Sequence, residues 1–249
     1  MITDVLTISV SQKDATILGC EKSWPGSFQI PSHVKNLPVT KIAANAFKGT
    51  EFKTIHIPDT VCIVKDNAFA QCQNLETISL SKKIVHLPKG FAKNCVKLKK
   101  IHYGYNLRVI DDSAFENCVS IESFWFDASL TRIGKRAFKN CQSLTSVVLG
   151  ENVKEVEREA FCGCKRLVAV SFSGREIEEQ TFSKCSSLTD CFIRNGVKRI
   201  HPLAFEKCLR LNELLLPYSV NEISFIAFKG CGTVKIQGNN NFKVVKEWR

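Results

Sequence analysis

A cysteine returns through this chain at an almost fixed interval. Cys72, Cys95, Cys118, Cys141, Cys164, Cys185, Cys208 and Cys231 stand 23, 23, 23, 23, 21, 23 and 23 residues apart. A chain that repeats itself every 20 to 50 residues or so folds as stacked copies of one small unit rather than around a single unique core. A unit of about 23 residues cannot bury its own apolar face, so each copy is completed by its neighbours and the array forms one elongated domain.

With the cysteine as position zero, the other apolar positions fall into register. A Leu, Ile or Val stands at plus three in every unit, from Leu75 and Leu98 through to Leu211 and Val234. Another aliphatic recurs eight residues before the cysteine, as in Ile42, Val64, Ile110, Ile133, Val156, Ile177, Ile200 and Ile223. Ala at minus four, Cys at zero and Leu at plus three have the i, i+4, i+7 spacing of one helical face, and the Phe at minus three adds to it, so about two helical turns per unit are expected. Alternating apolar pairs follow at plus six and plus eight, including Ile78/Leu80, Ile101/Tyr103, Phe124/Phe126, Val147/Leu149, Val170/Phe172 and Leu214/Leu216. That is the period-two signature of a short, half-buried strand, and one such strand per unit makes a parallel sheet.

Two units depart from the rule: Phe91-Ala92 transposes the usual Ala-Phe, and Thr50 replaces the cysteine in the first unit. Residues 1–38 lack the pattern and read as an N-terminal capping segment, residues 39–236 hold the repeats, and residues 237–249 read as a polar C-terminal tail, with no strand expected after Val234.

Written as Ile-x-x-x-Ala-Phe-x-x-Cys-x-x-Leu-x-x-Ile-x-Leu-Pro, and visible almost whole from Ile200 through Pro217, the unit resembles the BspA-like leucine-rich repeats over roughly residues 14 to 245. The segment DATILGCEKSWPGSFQIPSHVKNLPVTKI resembles the capping repeat of that family. The resemblance implies an α/β repeat fold, a right-handed leucine-rich-repeat solenoid with one curved parallel β-sheet and short helical turns on the opposite side. It also implies surface association, adhesion and protein binding, without catalysis. Pro follows the strand only at Pro58 and Pro217, a departure that bears on turn detail alone.

The residues themselves offer little chemistry. A cysteine array attracts soft metal ions in principle, but here no histidine or second cysteine recurs with it, and a thiol among Ala and Leu acts as a small hydrophobe. Cys162-Gly163-Cys164 supplies two thiols where a structural zinc site needs four ligands. Five histidines are present, with no HExxH, no glycine-rich phosphate loop and no recurrent carboxylate pair. No enzyme activity, catalytic residue, cofactor, metal or small-molecule substrate is therefore assigned, and the chain is read as a monomer. The first twenty residues lack the basic start and apolar run of a secretory signal, and no apolar stretch is long enough to span a bilayer. These signs point to the cytosol and to reduced thiols, against the surface location that the resemblance implies.

Two surface features remain. The column at plus seven, which points outward from the sheet, reads His56, Ser79, His102, Trp125, Val148, Ser171, Phe192 and Leu215. A solvent-facing column should be polar and half of this one is not, which marks His56, His102, Trp125, Val148, Phe192 and Leu215 as a protein-binding surface. The column at plus five runs from Lys100 to Asp190 and Glu213, a change of charge sign that would orient a partner. The competing feature is basic: net charge is +11, and Thr77 to Ile110 contains no Asp or Glu but holds Lys82, Lys83, Lys97, Lys99 and Lys100. Such a patch would suit a polyanion, whether nucleic acid, acidic glycan or anionic lipid.

Overall fold

Each unit forms one flattened coil, and strands form on both of its faces. The computed structural model describes residues 5–239 and 241–246. On the front face parallel strands stack as Ser27–Gln29, Thr54–His56, Thr77–Ser79 and Lys100–His102. The stack resumes as Ser146–Val148, Ala169–Phe172, Asp190–Ile193, Glu213–Leu216 and Lys235–Gly238. Pairing keeps the register of the cysteine ladder, so Thr54, Thr77 and Lys100 are partners, and so are Ser146, Ala169 and Asp190. The back face is built around the aliphatic at minus eight, on two-residue strands such as His86–Leu87, Val109–Ile110, Arg132–Ile133 and Glu155–Val156, then Glu176–Ile177 and Arg199–Ile200. The single sheet expected from the alternating pairs is thus replaced by ladders on two faces, each of them interrupted.

The expected helical turns are not there: among the described residues no helix forms. The segment from minus five to zero instead carries two left-handed residues in every coil before the last, for example Ser113 and Asn117 with φ of 56° and 62°. Their effect is to make successive N–H groups point alternately along and within the coil. Ser113, Phe115 and Asn117 each donate to the next coil, to the carbonyls of Lys135, Ala137 and Lys139 at 2.8 Å. Ala114, Glu116 and Cys118 donate three residues back, to Asp111, Ser113 and Phe115 at 3.2, 3.1 and 3.0 Å. A helix would spend every donor inside its own segment; this arc spends half of them joining coils, and so satisfies the backbone while stacking it.

Inside, side chains stack in columns. Phe115, Phe138, Phe161, Phe182 and Phe205 are fully buried, with successive ring centroids 5.3 to 5.7 Å apart. The transposed Phe91 keeps its place in this column but turns edge-on, at 65° to Phe69 and 72° to Phe115. Every ladder thiol reaches a main-chain carbonyl of the preceding coil, as Cys141 does to Phe115 at 3.3 Å and Cys208 to Phe182 at 3.1 Å. Thr50 stands in for the missing first thiol with its hydroxyl 3.4 Å from Cys72 Sγ. Beside the thiols runs an amide ladder, Asn140 Nδ2 to Asn117 Oδ1 at 2.8 Å and Asn117 Nδ2 to Asn94 Oδ1 at 2.7 Å. It ends at Gly163, whose φ is +77° and where a Cβ would lie 2.3 Å from Asn140 Oδ1.

The ends are closed differently. Leu6–Val10 pairs antiparallel with Ala15–Cys20, which pairs in parallel with Leu37–Ile42, and Trp24 sets its ring edge against Phe28 and Phe52 at 5.7 and 5.0 Å. At the far end the strand expected to fail does form: Lys235–Gly238 pairs with Glu213–Leu216, and Lys243–Val245 with Glu222–Ser224. The neighbouring coil imposes these strands on a polar sequence whose own pattern is too weak to announce them. Residues 240 and 247–249 of the expected tail lie outside the described residues.

Candidate functional site

The alternation of the front strands decides which side chains meet water. In Asp190–Ile193 and Glu213–Leu216 the second and fourth residues are buried and the first and third exposed. The column at plus seven is accordingly outward: Trp125 is 72% exposed, Val148 60%, Phe192 57% and Leu215 53%. His56 and His102 are exposed in the same column, and Ser79 and Ser171 are half-buried. Val148, Ser171, Phe192 and Leu215 are consecutive register partners. With strands about 4.8 Å apart, Trp125 and Val148 lie on neighbouring coils, one serine separates them from Phe192, and Leu215 follows directly.

The front ladder breaks at Trp125. Ser123–Phe126 forms no strand, and among the described residues no ladder bond joins it to Lys100–His102 or to Ser146–Val148. In regular coils the plus-seven carbonyl accepts from the main chain of the coil before it, as His102 accepts from Leu80 N–H at 2.7 Å and Ser171 from Leu149 N–H at 3.0 Å. Here the Tyr103 hydroxyl donates to the Trp125 carbonyl in place of a backbone N–H. Burial, and next the charge of Asp127, push the Tyr103 phenol well above its ordinary range, so it stays protonated as that donor.

The break follows from side-chain size. The inward pair is Phe124 and Phe126, where the next coil has Val147 and Leu149. Phe124 packs on Tyr103, Phe115 and Phe138 at 5.0, 5.4 and 5.0 Å, and Phe126 on Phe138 at 5.4 Å. Two rings wedged under one strand hold its backbone out of reach of both neighbours.

Cavities of about 350 and 430 Å³ flank the tryptophan. The first is lined by Trp125, Val148, Ser123, Ser146 and Arg194, the second by Trp125, His102, Tyr103 and Tyr105. Arg194 is held by Glu151 at 3.2 Å and by the Ser171 hydroxyl at 3.2 Å. Tyr105, 81% exposed, and Arg194 were not singled out by the column argument, because both lie beyond the strand where the outward-inward alternation no longer applies. The structure thus brings His102, Trp125 and Val148 together at the break and Phe192 with Leu215 beyond it, whereas His56 stands two coils before His102.

The lysines are not gathered in this way. Lys82 and Lys83 lie in the turn after Thr77–Ser79, while Lys99 and Lys100 lie at the opposite end of the neighbouring strand. Lys97 donates to Asn74 Oδ1 at 2.9 Å, and the backbone N–H groups of Lys99 and Lys100 both bond the Glu76 carbonyl, which sets an acidic residue beside them. Acid-free sequence therefore becomes a basic band wound around a coil, interleaved with acids from the coils on either side.

All twelve cysteines are thiols, and nine of them are buried. Burial pushes the Cys118 and Cys191 thiols up to about 12, which removes the thiolate that metal binding or nucleophilic attack would need. Among the described residues no helix is long and apolar enough to cross a membrane.

Comparison with known proteins bears on this geometry. The model of the family described as BspA type leucine rich repeat region matches in six copies, over residues 26–145 and 131–248. Among solved structures, the chain is similar to a leucine-rich-repeat protein of T. pallidum, with 25% identity and a TM-score of 0.63 over 84% of this chain and 88% of that one. It is also similar to a leucine-rich-repeat protein from Bacteroides ovatus, at 23% identity and a TM-score of 0.67 over 96% and 88%. The pneumococcal vaccine antigen PcpA shares the fold at 16% identity and a TM-score of 0.50, over 96% and 87%. Comparison with curated proteins gave no match.

Proposed function

This chain belongs to the BspA type leucine-rich-repeat family, and from that premise we propose that it is a non-enzymatic protein-binding module of adhesion or scaffold type, working through its front face. One observation carries the reading: four large apolar side chains, Trp125, Val148, Phe192 and Leu215, are more than half exposed in a column where the fold requires no apolar residue. Aromatic anchors are where interface energy concentrates. The surround is polar, with Ser123, Ser146 and Ser171 between the anchors and charges of opposite sign at Lys100 and at Asp190 and Glu213, which fits a protein partner of complementary polarity. Display at a cell surface accords with the family and with a fold shared by a vaccine antigen; antibody staining of intact against permeabilised cells tests it.

The binding test uses the partner recovered on the immobilised chain. Trp125→Ala and Phe192→Ala are expected to change stability by no more than about 0.5 kcal/mol, as exposed substitutions do, and each to weaken binding by roughly 2 kcal/mol or more. Reversing Lys97, Lys99 and Lys100 to Glu should alter the salt dependence of binding more than its strength at high salt. If the lysine reversal abolishes binding at every salt concentration while both aromatic variants bind normally, a polyanion is the ligand and the apolar column is not the site.

A further inference from the structure

Among the described residues the back ladder is interrupted twice, between Ile63–Val64 and His86–Leu87 at a regular 23-residue step and again at the one short step of the cysteine ladder. Between Cys164 and Cys185 the coil has 21 residues instead of 23. Arg175 N–H still reaches the Lys154 carbonyl at 3.2 Å, but among the described residues the two-residue strands Glu155–Val156 and Glu176–Ile177 do not pair. A cavity of about 270 Å³ opens between them, lined by Glu155, Glu157, Glu176, Glu178, Lys154 and Arg175.

The next coil pairs with the Glu176–Ile177 strand on the side away from Glu155–Val156. Arg199 is the register partner of Glu176, and His201 follows two residues later, beside Glu178. His201 Nε2 lies 2.5 Å from Glu176 Oε2, and its Nδ1 lies 3.8 Å from Glu178 Oε2. One donor atom from each of the three residues falls within 4.8 Å of the other two. Their side chains are 14%, 23% and 38% exposed for His201, Glu176 and Glu178, reachable from solvent yet held by the coil.

We propose that Glu176, Glu178 and His201 form a binding site for a zinc-type divalent cation, which ties two coils together beside the break in the back ladder. The donor set carries the choice of ion. One imidazole and two carboxylates, with water in the remaining position, are ligands that Zn²⁺ accepts, whereas Mg²⁺ and Ca²⁺ take oxygen ligands alone. Ligands about 2.0 to 2.2 Å from a tetrahedral ion lie roughly 3.3 Å from one another, so donors now within 4.8 Å must close by at most about 1.5 Å while the 2.5 Å contact of His201 with Glu176 opens by about 0.8 Å.

The remaining groups support the same geometry. Arg199 holds Glu176 Oε1 through Nε at 2.9 Å and Nη2 at 2.6 Å, which fixes the carboxylate and leaves Oε2 toward His201. Groups that orient a metal ligand from behind in this way are a regular part of metal sites. The site lies on the face opposite the apolar column and does not depend on the protein-binding reading.

The test uses the full chain carrying Cys62→Ser, because Cys62 is an exposed thiol that would itself take zinc. Zn²⁺ alone is titrated by calorimetry, Co²⁺ absorbance reports the donor set, and thermal melts are run with and without Zn²⁺. The expected result is one Zn²⁺ per chain, a melt that rises with Zn²⁺, and at least tenfold weaker binding in His201→Ala and in Glu178→Gln. Glu155→Gln, which lines the cavity outside the donor set, should bind as the parent does. Should His201→Ala fail to fold, the more exposed Glu178 carries the comparison. Absence of saturable binding at one ion per chain, or unchanged affinity in Glu178→Gln with His201→Ala folded and unchanged, overturns the site and leaves an ion-pair network of Glu176, Arg199 and His201.

Discussion

Asn117 tests the origin of the turn arc, because helix and arc predict opposite signs for the same substitution. Its φ is 62°, its Nδ2 donates to Asn94 Oδ1 at 2.7 Å, and its Oδ1 accepts from Asn140 Nδ2 at 2.8 Å. Alanine at this position pays about 1 kcal/mol for the left-handed backbone. It also strands one amide on each neighbour, at about 0.5 to 1 kcal/mol apiece for half-buried groups. Asn117→Ala should therefore cost about 2 to 3 kcal/mol. Asn117→Gly loses the same bonds but adopts the backbone freely, so it should be the more stable of the two by about 1 kcal/mol.

In a helix the order reverses, since alanine is the best helix former and glycine is about 1 kcal/mol worse. Urea unfolding followed by circular dichroism gives the comparison, read from midpoints among variants that share one m-value. An Asn117→Ala variant as stable as the parent, or more stable than Asn117→Gly, would refute the left-handed arc.

Two further perturbations probe the interior. Cys141, whose thiol reaches the Phe115 carbonyl at 3.3 Å, should lose about 1 to 3 kcal/mol on replacement by Ser, which buries a poorly satisfied hydroxyl, and less on replacement by Ala; a Ser variant more stable than the Ala variant in urea would contradict this. Glu159 tests the charge network: burial alone would raise its carboxyl, but hydrogen bonds and charge from Arg136 and Lys139 outweigh that and bring it from 4.5 to about 2. A depressed carboxyl contributes stability that is fully present above pH 4.5 and lost as pH falls toward 2, at most about 3 kcal/mol because Arg136 is partly in water. The gap in melting temperature between the parent and Glu159→Gln should be wide at pH 7 and should shrink between pH 4.5 and 2; a gap independent of pH would exclude the mechanism.

The repeat, its register and the inward and outward sides of the front strands were all legible, because each is fixed by side chains that recur every 23 residues. The arc was misread for a definite reason. Ala, Cys and Leu at i, i+4 and i+7 line one face of a helix, but they also line the inside of an arc whose backbone alternates in hand. The deciding signal lay at two polar positions. Asn45, Asn67 and Gly90 at minus five, and Asn94, Asn117, Asn140 and Gly163 at minus one, are the residue types that take a positive φ at least cost, whereas Arg136, Glu159, Gln180 and Leu203 take the same backbone at minus five without announcing it. The surroundings of the basic band were not legible because sequence proximity ignores the coils on either side: Glu76 lies beside Lys99 through its main-chain carbonyl, and Glu116 pairs with Lys93, only after stacking.

The candidate sites share a cause that the consensus could not reveal. In a regular coil the backbone donors and acceptors of the strand are taken by the coil before or after, and side chains alone remain to meet a ligand. Cavities beside the candidate residues open where the ladder parts, on both faces. On the front, two phenylalanines under one strand part the ladder without changing the residue count, and Trp125 stands at that point between two cavities. On the back, the ladder parts beside the coil that is two residues shorter, and Glu176 and Glu178 line the opening there. The first departure is one of side-chain volume and the second one of spacing. Both are visible in the sequence, yet each gains its meaning only from the ladder it interrupts: the same Phe124 and Phe126 in a strand without neighbours would break nothing, and a coil two residues shorter at the end of the stack would open no cavity. The two candidate sites of this chain accordingly sit beside coils that depart from the consensus, Trp125 at the front break and Glu176 and Glu178 at the short coil.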